Sequence, residues 1–312
     1  MMSKRNIALL ALLLLQVVLI GYLYMPRQES GTAKRFFPDL QPEAVVRLTV
    51  AAAEGKQVAV KREAGGWVVD TPEQYPADRE KIDNLLTRLA DLSSDRLVAQ
   101  TEEGHNRFRV GASPNQHLTL TMQDGKEQSL SLGTSPSYNA THVRAGGDTG
   151  VYLVAEFAPW QLPADEKFWW QREYVAMQPE GLVEVSLHNS HGELQLYRAE
   201  DQGWQVAGLI EGQQADGAAV QDFVAAVSRI ALTDYLGREE RPEFRLDKPL
   251  ATLTLKSKEL TVTLKVGAKD EQAGMAGAYV MKSSASPFYV QAGSAVIAPL
   301  LDRQQGDLIA KP

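Results

Sequence analysis

The sequence predicts an α+β fold in which an N-terminal transmembrane helix precedes two tandem, homologous, strand-rich domains, each with one main amphipathic helix. Three observations predict it. A pattern of tryptophan, aspartate and apolar residues occurs twice, an uncharged apolar run occupies residues 7–25, and short alternating segments between turn residues fill much of the remaining chain. Strand-rich units with one main helix each are typical of α+β folds.

The duplication is clearest around two tryptophans. Trp67 is followed by Asp78 and an amphipathic helix pattern, and Trp204 is followed by Asp216 and the same pattern. A period this long indicates two domain-sized copies, for which 312 residues are sufficient. The apolar helix positions correspond at a spacing of 138 residues: Ile82, Leu85, Leu86, Leu89 and Leu92 in the first copy, and Val220, Phe223, Val224, Val227 and Ile230 in the second.

The residues that the two copies share are interpreted as structural. Asp78 and Asp216 are each predicted to cap a helix, because a carboxylate before the first turn accepts a backbone hydrogen bond. The alternative, a catalytic carboxylate pair, would need both groups in one site. Trp67 and Trp204 each lie on a short strand before the helix and are predicted to pack beneath it, with ligand stacking as the alternative.

Alternation of apolar and polar residues predicts the strands of each copy, and Asp124-Gly125 and Gly146-Gly147 are typical hairpin turns. The pattern repeats after a segment that is bracketed by Pro163 and Pro179. The chain is therefore divided into an anchor (1–26), a tether (27–44), a first α+β repeat (45–162), a linker (163–181), a second α+β repeat (182–301) and a C-terminal tail (302–312).

The apolar run at residues 7–25 follows Lys4 and Arg5. As a helix it would span about 28 Å at ~1.5 Å per residue, close to the ~30 Å hydrocarbon core of a bilayer. A cleaved signal peptide is the alternative, but Tyr22 to Met25 are too bulky for a typical cleavage site. We expect a single-pass anchor in the inner (cytoplasmic) membrane, with the domains on the periplasmic, extracytoplasmic side.

Composition limits the classes of partner. The formal net charge is −7, whereas nucleic-acid binding requires clustered Lys and Arg to neutralise phosphates, so we expect no nucleic acid. The chain has no cysteine, which excludes disulfides, thiolate metal ligands and cysteine nucleophiles.

The sequence contains no recognised catalytic motif. The glycine-rich phosphate-binding loops and the Gly-x-Ser-x-Gly elbow are missing. His188 and His191 are the only close histidine pair, and their position at a predicted turn favours surface residues over a metal site. We therefore predict no enzymatic activity, no cofactor and no bound metal.

The densest aromatic run is Phe168-Trp169-Trp170, within the predicted linker. Two interpretations are open: these side chains pack between the two repeats, or they form an exposed patch for a partner.

The order of the motifs resembles a known family. Gly65-Gly66-Trp67-Val68-Val69, Tyr75-Pro76-Ala77-Asp78, a Leu-Leu-x-x-Leu helix, Phe108-Arg109-Val110-Gly111 and Val151-Tyr152-Leu153-Val154 follow one another after the apolar N-terminal run. This order resembles the bacterial domain-of-unknown-function family numbered 4340, over most of residues 45–301. The second copy departs from it, with Gln213-Gln214 in place of Tyr75-Pro76.

The resemblance implies neighbours among gliding-motility-type ABC transport systems and defines no catalytic residues. We therefore expect a non-catalytic, membrane-anchored, extracytoplasmic accessory subunit that contacts an ABC-transporter permease or auxiliary subunits. The alternatives are a stand-alone envelope module that binds a small ligand or polymer in the groove between the repeats, and an envelope enzyme.

Overall fold

The structure is a computed structural model that describes residue 16 and residues 33–199, 203–270 and 277–310. Two eight-stranded antiparallel sheets form its body, and each belongs to one unit of the duplicated chain. The strands of the first unit are β1 (Lys34–Arg35), β2 (Val45–Ala52), β3 (Gln57–Glu63), β4 (Gly66–Val69), β5 (Ser93–Ser94), β6 (Leu97–Ala99), β7 (Gln116–Met122), β8 (Glu127–Leu132), β9 (Ala140–Ala145) and β10 (Val151–Ala155).

The second unit repeats these strands in the same order along the chain. They are β11 (Glu173–Ala176), β12 (Leu182–Asn189), β13 (Gly192–Ala199), β14 (Gly203–Val206), β15 (Arg229–Ala231), β16 (Asp234–Gly237), β17 (Ala251–Ser257), β18 (Thr261–Asp270), β19 (Ala278–Ser283) and β20 (Tyr289–Gly293). The spatial orders are β4-β3-β2-β7-β8-β9-β10-β6 and β14-β13-β12-β17-β18-β19-β20-β16. The two orders are equivalent, so the predicted duplication is confirmed.

One main helix in each unit packs on the sheet, and an aspartate before its first turn fixes the residue at which it begins. The α-helices whose bounds lie within residues 33–310 of the described chain are α1 (Arg79–Asp91), α2 (Glu102–Arg107), α3 (Glu166–Trp169), α4 (Gly217–Ser228) and α5 (Ser294–Leu301). Helix α1 begins at Asp78, whose carboxylate accepts from the Lys81 amide, and α4 begins at Asp216, whose carboxylate accepts from the Ala218 and Ala219 amides. The helices end before the last predicted apolar positions, since Leu92 is a C-cap and Ile230 lies in β15.

The predicted fold class is wrong in its first element. In the ranges that the structure describes, no helix has the length and apolar character needed to span a bilayer. The longest of these helices, α1, has 13 residues and extends about 20 Å at ~1.5 Å per residue, against a ~30 Å hydrocarbon core. The span predicted at residues 7–25 lies outside the described residues except for Gln16.

The structure also differs from the predicted tether and linker. Strand β1 pairs with β5, and Phe36 and Phe37 are buried, so the folded body begins before Val45. Strand β11 lies inside the predicted linker and pairs with β15 in the same way. The segment 163–181 is therefore shared: its first part completes the first unit, and its second part begins the next.

Each unit is completed by a short stretch that we call its closing segment: residues 169–171 for the first unit and 308–310 for the second. In the first unit, the Asp78 amide donates to Trp169 O at 2.8 Å and the Gln171 amide donates to Pro76 O at 2.9 Å. In the second, the Asp216 amide donates to Leu308 O at 2.9 Å and the Ala310 amide donates to Gln214 O at 2.8 Å. The predicted C-terminal tail is thus a structural part of the second unit.

A close backbone contact occurs at equivalent places in the two units. A Cβ on Gly133 would lie 1.9 Å from Phe108 O, and a Cβ on Gly267 would lie 2.1 Å from Phe244 O. Glycine is therefore required where β8 and β18 pass under the preceding loops. The residues after these phenylalanines, Arg109 and Arg245, both have left-handed backbones with φ of 54° and 53°.

Candidate partner-binding surfaces

The two units meet at an aromatic seam, which we define as Tyr75, Trp170, Tyr235 and Phe288. The Tyr75 and Tyr235 rings stack with centroids 4.4 Å apart and planes 13° apart. Trp170 packs edge-on against both tyrosines, and Phe288 does the same from the second unit. One hydrophobic core continues through this seam into both units, so they form a single packed body.

The predicted aromatic run at residues 168–170 lies at this seam. Trp169 and Trp170 are 0% and 2% exposed, whereas Phe168 is partly buried. The Trp169 indole donates to Pro163 O at 3.1 Å, but the buried Trp170 indole nitrogen has no hydrogen-bond partner among the described residues. The two tryptophans therefore contribute packing area inside the molecule and offer no surface to a partner.

Polar contacts at the rim fix the seam. Lys167 Nζ lies 2.5 Å from Asp234 Oδ2, the Tyr235 hydroxyl donates to Gln171 O at 3.1 Å, and Arg238 donates to Glu73 O at 3.3 Å. Burial raises the pKa of the Tyr235 phenol well above its usual range, so this donor remains protonated at neutral pH.

The groove over the seam is lined largely by polar and charged residues. Its volume is 590 Å³, and its walls are residues 72–74 of the first unit and Leu236, Gly237, Arg238, Glu239 and Arg241 of the second. The seam aromatics pack against one another and do not line this groove. A groove of 930 Å³ in the second unit is also lined by charged residues, including Glu180, Arg198, Lys258 and Glu259.

A different aromatic pair is exposed, on the first unit. Tyr138 and Trp160 are 74% and 49% exposed, and their rings stack with centroids 5.2 Å apart and planes 20° apart. The Trp160 indole donates to Tyr138 O at 3.2 Å, which fixes the two rings relative to each other. We call this pair the aromatic platform.

The aromatic platform is supported from helix α1. Trp160 belongs to a single turn of 3-10 helix, Pro159–Gln161. Gln161 Oε1 accepts from Arg88 at 2.9 Å, and Arg88 also donates to Glu156 O at 3.0 Å. These bonds hold the turn in place without a ligand, which lowers the entropic cost of binding.

Sequence reasoning missed the aromatic platform. Its two members are 22 residues apart and lie outside the strands, and neither belongs to a repeated motif. The only available signal was negative: Trp160 lacks a partner in the pattern that pairs Trp67 with Trp204.

The two repeated tryptophans occupy equivalent places but differ in burial. Trp67 is 3% exposed and donates to Asp83 Oδ1 at 3.4 Å, with the Arg62 guanidinium 4.7 Å from its ring centroid. Trp204 is partly exposed, packs against the core and lies beneath Arg198 at 5.5 Å.

The remaining predicted site residues have local roles. Asp78 and Asp216 cap separate helices in separate units, as described above. His188 is exposed near the end of β12, and His191 is exposed in the turn that follows. Within the described ranges, no group of three or more His, Asp or Glu side chains is arranged to hold a metal ion.

Comparison with known proteins identifies a family. The family model of the Domain of unknown function (DUF4340) matches residues 67–249, which is more than half of the chain. The match begins at the first repeated tryptophan and extends into the second unit. No curated protein and no solved structure matches the chain.

Proposed function

The chain belongs to the DUF4340 family, and we propose that it is a non-catalytic binding subunit that acts beside an ABC-type transport complex. In this proposal its partner is a permease or an auxiliary subunit of that complex. The two folded units lie on the extracytoplasmic side of the inner membrane, where such a partner presents its outer domains.

The observation that carries the proposal is the aromatic platform of Tyr138 and Trp160. Large aromatic side chains dominate binding energy at protein interfaces, and their exposure on a surface is typical of a contact site. The platform is ordered before binding by the Trp160 indole hydrogen bond and by the contacts of Gln161 with Arg88. A rigid aromatic surface of this kind suits a protein partner.

The rigid seam also supports a binding role. Domain-closing binding proteins open and close around a ligand through a mobile junction. Here the junction is a packed aromatic cluster with Tyr75 stacked on Tyr235. A fixed body that presents an outer surface is therefore favoured over a cleft that encloses a small molecule.

The proposal is tested by co-purification. The full chain, expressed at native level with an affinity tag, is extracted from membranes in mild detergent, and co-eluting proteins are identified by mass spectrometry. We expect subunits of an ABC-type transporter. Replacing both Tyr138 and Trp160 by Ala should weaken capture by about 2 kcal/mol, or roughly 30-fold in affinity.

Tyr197→Ala is the matched control, since Tyr197 is 48% exposed on the second unit and should leave capture unchanged. Elution of the unaltered chain without any transport subunit would contradict the proposal and favour a stand-alone binding module. Retained capture by the double variant would show that the partner binds elsewhere.

A further inference from the structure

The internal junction joins a loop of the first unit to a sheet edge of the second. The loop comprises residues 72–77, and the edge is β16, the last strand in the order of the second sheet. Tyr75 stacks on Tyr235 of β16, and Arg238, directly after β16, donates to Glu73 O. The first unit thus covers an edge of the second sheet, where an edge strand otherwise exposes unpaired backbone groups.

The equivalent edge of the first sheet is β6, and it is exposed. Strand β6 occupies the same end of the strand order as β16 and pairs with β10 as β16 pairs with β20. Its residues Leu97 and Val98 are 44% and 40% exposed. Successive side chains of a strand point to opposite faces, so Leu97 and Val98 expose one apolar group on each face of the sheet at this edge.

The equivalent loop of the second unit is also exposed. Residues 210–215 follow residues 72–77 at the 138-residue spacing of the repeat. Ile210 is 69% exposed, and Ile309, which occupies the place of Trp170 in the closing segment, is partly exposed. The chain therefore carries a second copy of each surface that forms its internal junction, and both carry exposed aliphatic side chains.

We propose that a second copy of this chain docks head to tail, with the 210–215 loop of one molecule against strand β6 of the next. The contact repeats the operation that relates the first unit to the second within one molecule. Because its two surfaces differ, the contact is heterologous and generates a ring or an open filament.

The chemistry of the two surfaces indicates a weaker contact than the internal one. The internal junction buries a stacked tyrosine pair and Trp170, whereas Gln213 stands in place of Tyr75 in the second unit. The intermolecular contact is carried by Leu97, Val98, Ile210 and Ile309, which are smaller. Interfaces of small apolar area are typically weak and reversible, so assembly should depend on concentration.

The first test is sedimentation velocity of the purified full chain over a wide concentration range. We expect the average mass to rise beyond that of a dimer for the unaltered chain. Leu97→Glu and Ile210→Glu each remove one of the two surfaces, so each variant alone should remain monomeric. An equimolar mixture of the two should form a dimer and nothing larger, because one loop and one edge remain compatible.

Leu260→Glu is the matched control, since Leu260 is 52% exposed on the β17–β18 hairpin and should leave assembly unchanged. A monomeric unaltered chain at every concentration would overturn the proposal. So would a loss of assembly in the control, or a mixture of the two surface variants that stays monomeric.

The second test uses the absence of cysteine from the chain. Leu97 takes the place of Tyr235 and Gln213 that of Tyr75, which stack in the internal junction, so Leu97→Cys and Gln213→Cys place one thiol on each surface. Mild oxidation of their mixture should give a disulfide-linked heterodimer. Leu97→Cys mixed with Leu260→Cys should give none. Equal cross-linking in both mixtures would overturn the proposal, and neither result depends on the transport partner.

Discussion

The two units share a strand order but differ in the side-chain packing that stabilises it. In the first unit Trp67 is buried and its indole donates to Asp83 of α1. In the second unit the equivalent Trp204 is only partly buried. The same sheet and helix are therefore stabilised by different amounts of apolar burial beneath the helix.

The features that the units keep are the ones that the backbone requires. Gly133 and Gly267 lie against carbonyl groups at distances that no larger residue allows. Asp78 and Asp216 both satisfy amides at the start of a helix. Side-chain contacts have diverged, since Tyr75 corresponds to Gln213 and Trp170 to Ile309. The duplication thus preserved backbone geometry more strictly than packing.

The largest expected difference between the units concerns their tryptophans. Trp67→Ala should destabilise the protein by about 3–5 kcal/mol, because it leaves a cavity beneath α1. Trp204→Ala should cost less, about 1–2 kcal/mol, because part of that indole is already in water. Denaturant unfolding followed by circular dichroism measures both, and equal losses would contradict the stated difference.

For the two close-packed glycines, Gly133 and Gly267, we expect substitutions to have equal effects in the two units. Gly133→Ala and Gly267→Ala should each destabilise by about 1–3 kcal/mol, because the new methyl group overlaps a carbonyl oxygen and the strands must separate. Thermal unfolding of both variants is the measurement. Gly125→Ala is the control without steric overlap, since none of the described atoms outside its chain neighbours lies within 4 Å of a Cβ at that turn. Its φ of 81° means that any loss in this variant comes from backbone strain. A neutral effect at either close-packed glycine would show that the loop moves freely.

The seam allows a matched comparison of two adjacent tryptophans. Trp169→Phe removes the indole bond to Pro163 O, whereas Trp170→Phe removes a donor that has no partner in the part of the chain that the structure describes. Both substitutions lose similar volume, so the difference between them isolates the hydrogen bond. We expect Trp169→Phe to be about 1 kcal/mol more destabilising. Equal unfolding midpoints would indicate that the Trp170 indole is also paired.

The smallest expected effect is a pH dependence confined to the first unit. Burial lowers the pKa of His117 and of His142, so both are more basic in the unfolded chain than in the folded one. The contribution of these two histidines to the free energy of unfolding is therefore fully present above their unfolded pKa of ~6.5. It is lost as the pH drops below that value toward their folded pKa values.

The variant that tests this carries Gln at both His117 and His142, and its unfolding free energy should vary less with pH in that window. The control carries Gln at His188 and His191, which are exposed in the second unit, and should keep the slope of the unaltered chain. The same slope in all three proteins would assign the pH dependence to other groups.

Much of the framework was predictable from sequence because it repeats. Asp78, Asp216 and the helix positions after them recur at one spacing, so each copy supports the interpretation of the other. The requirement for glycine at Gly133 and Gly267 comes from a carbonyl group beneath β8 and β18, and this contact is visible only in the coordinates.

The parts that sequence did not predict depend on contacts between distant residues. The closing segments have no shared residue pattern, since Trp169 corresponds to Leu308 and both are used through backbone carbonyls. Short strands such as β1 and β11 contain too few residues for a period to appear. The aromatic platform depends on two loops that only the folded sheet brings together.

The closing segments determine when each unit can finish folding during synthesis. Helix α1 ends at Asp91, and the ribosome adds Trp169 about 80 residues later. Trp169 is the residue whose carbonyl accepts from the Asp78 amide. In the second unit, Leu308 follows the end of α4 by a similar interval. At ~5–20 residues per second, each helix waits roughly 4–16 s on the ribosome for its last backbone partner. During that interval the core of the first unit lacks Trp169, which is fully buried in the folded protein. A truncated chain that ends at residue 162 would remain permanently in this unfinished state.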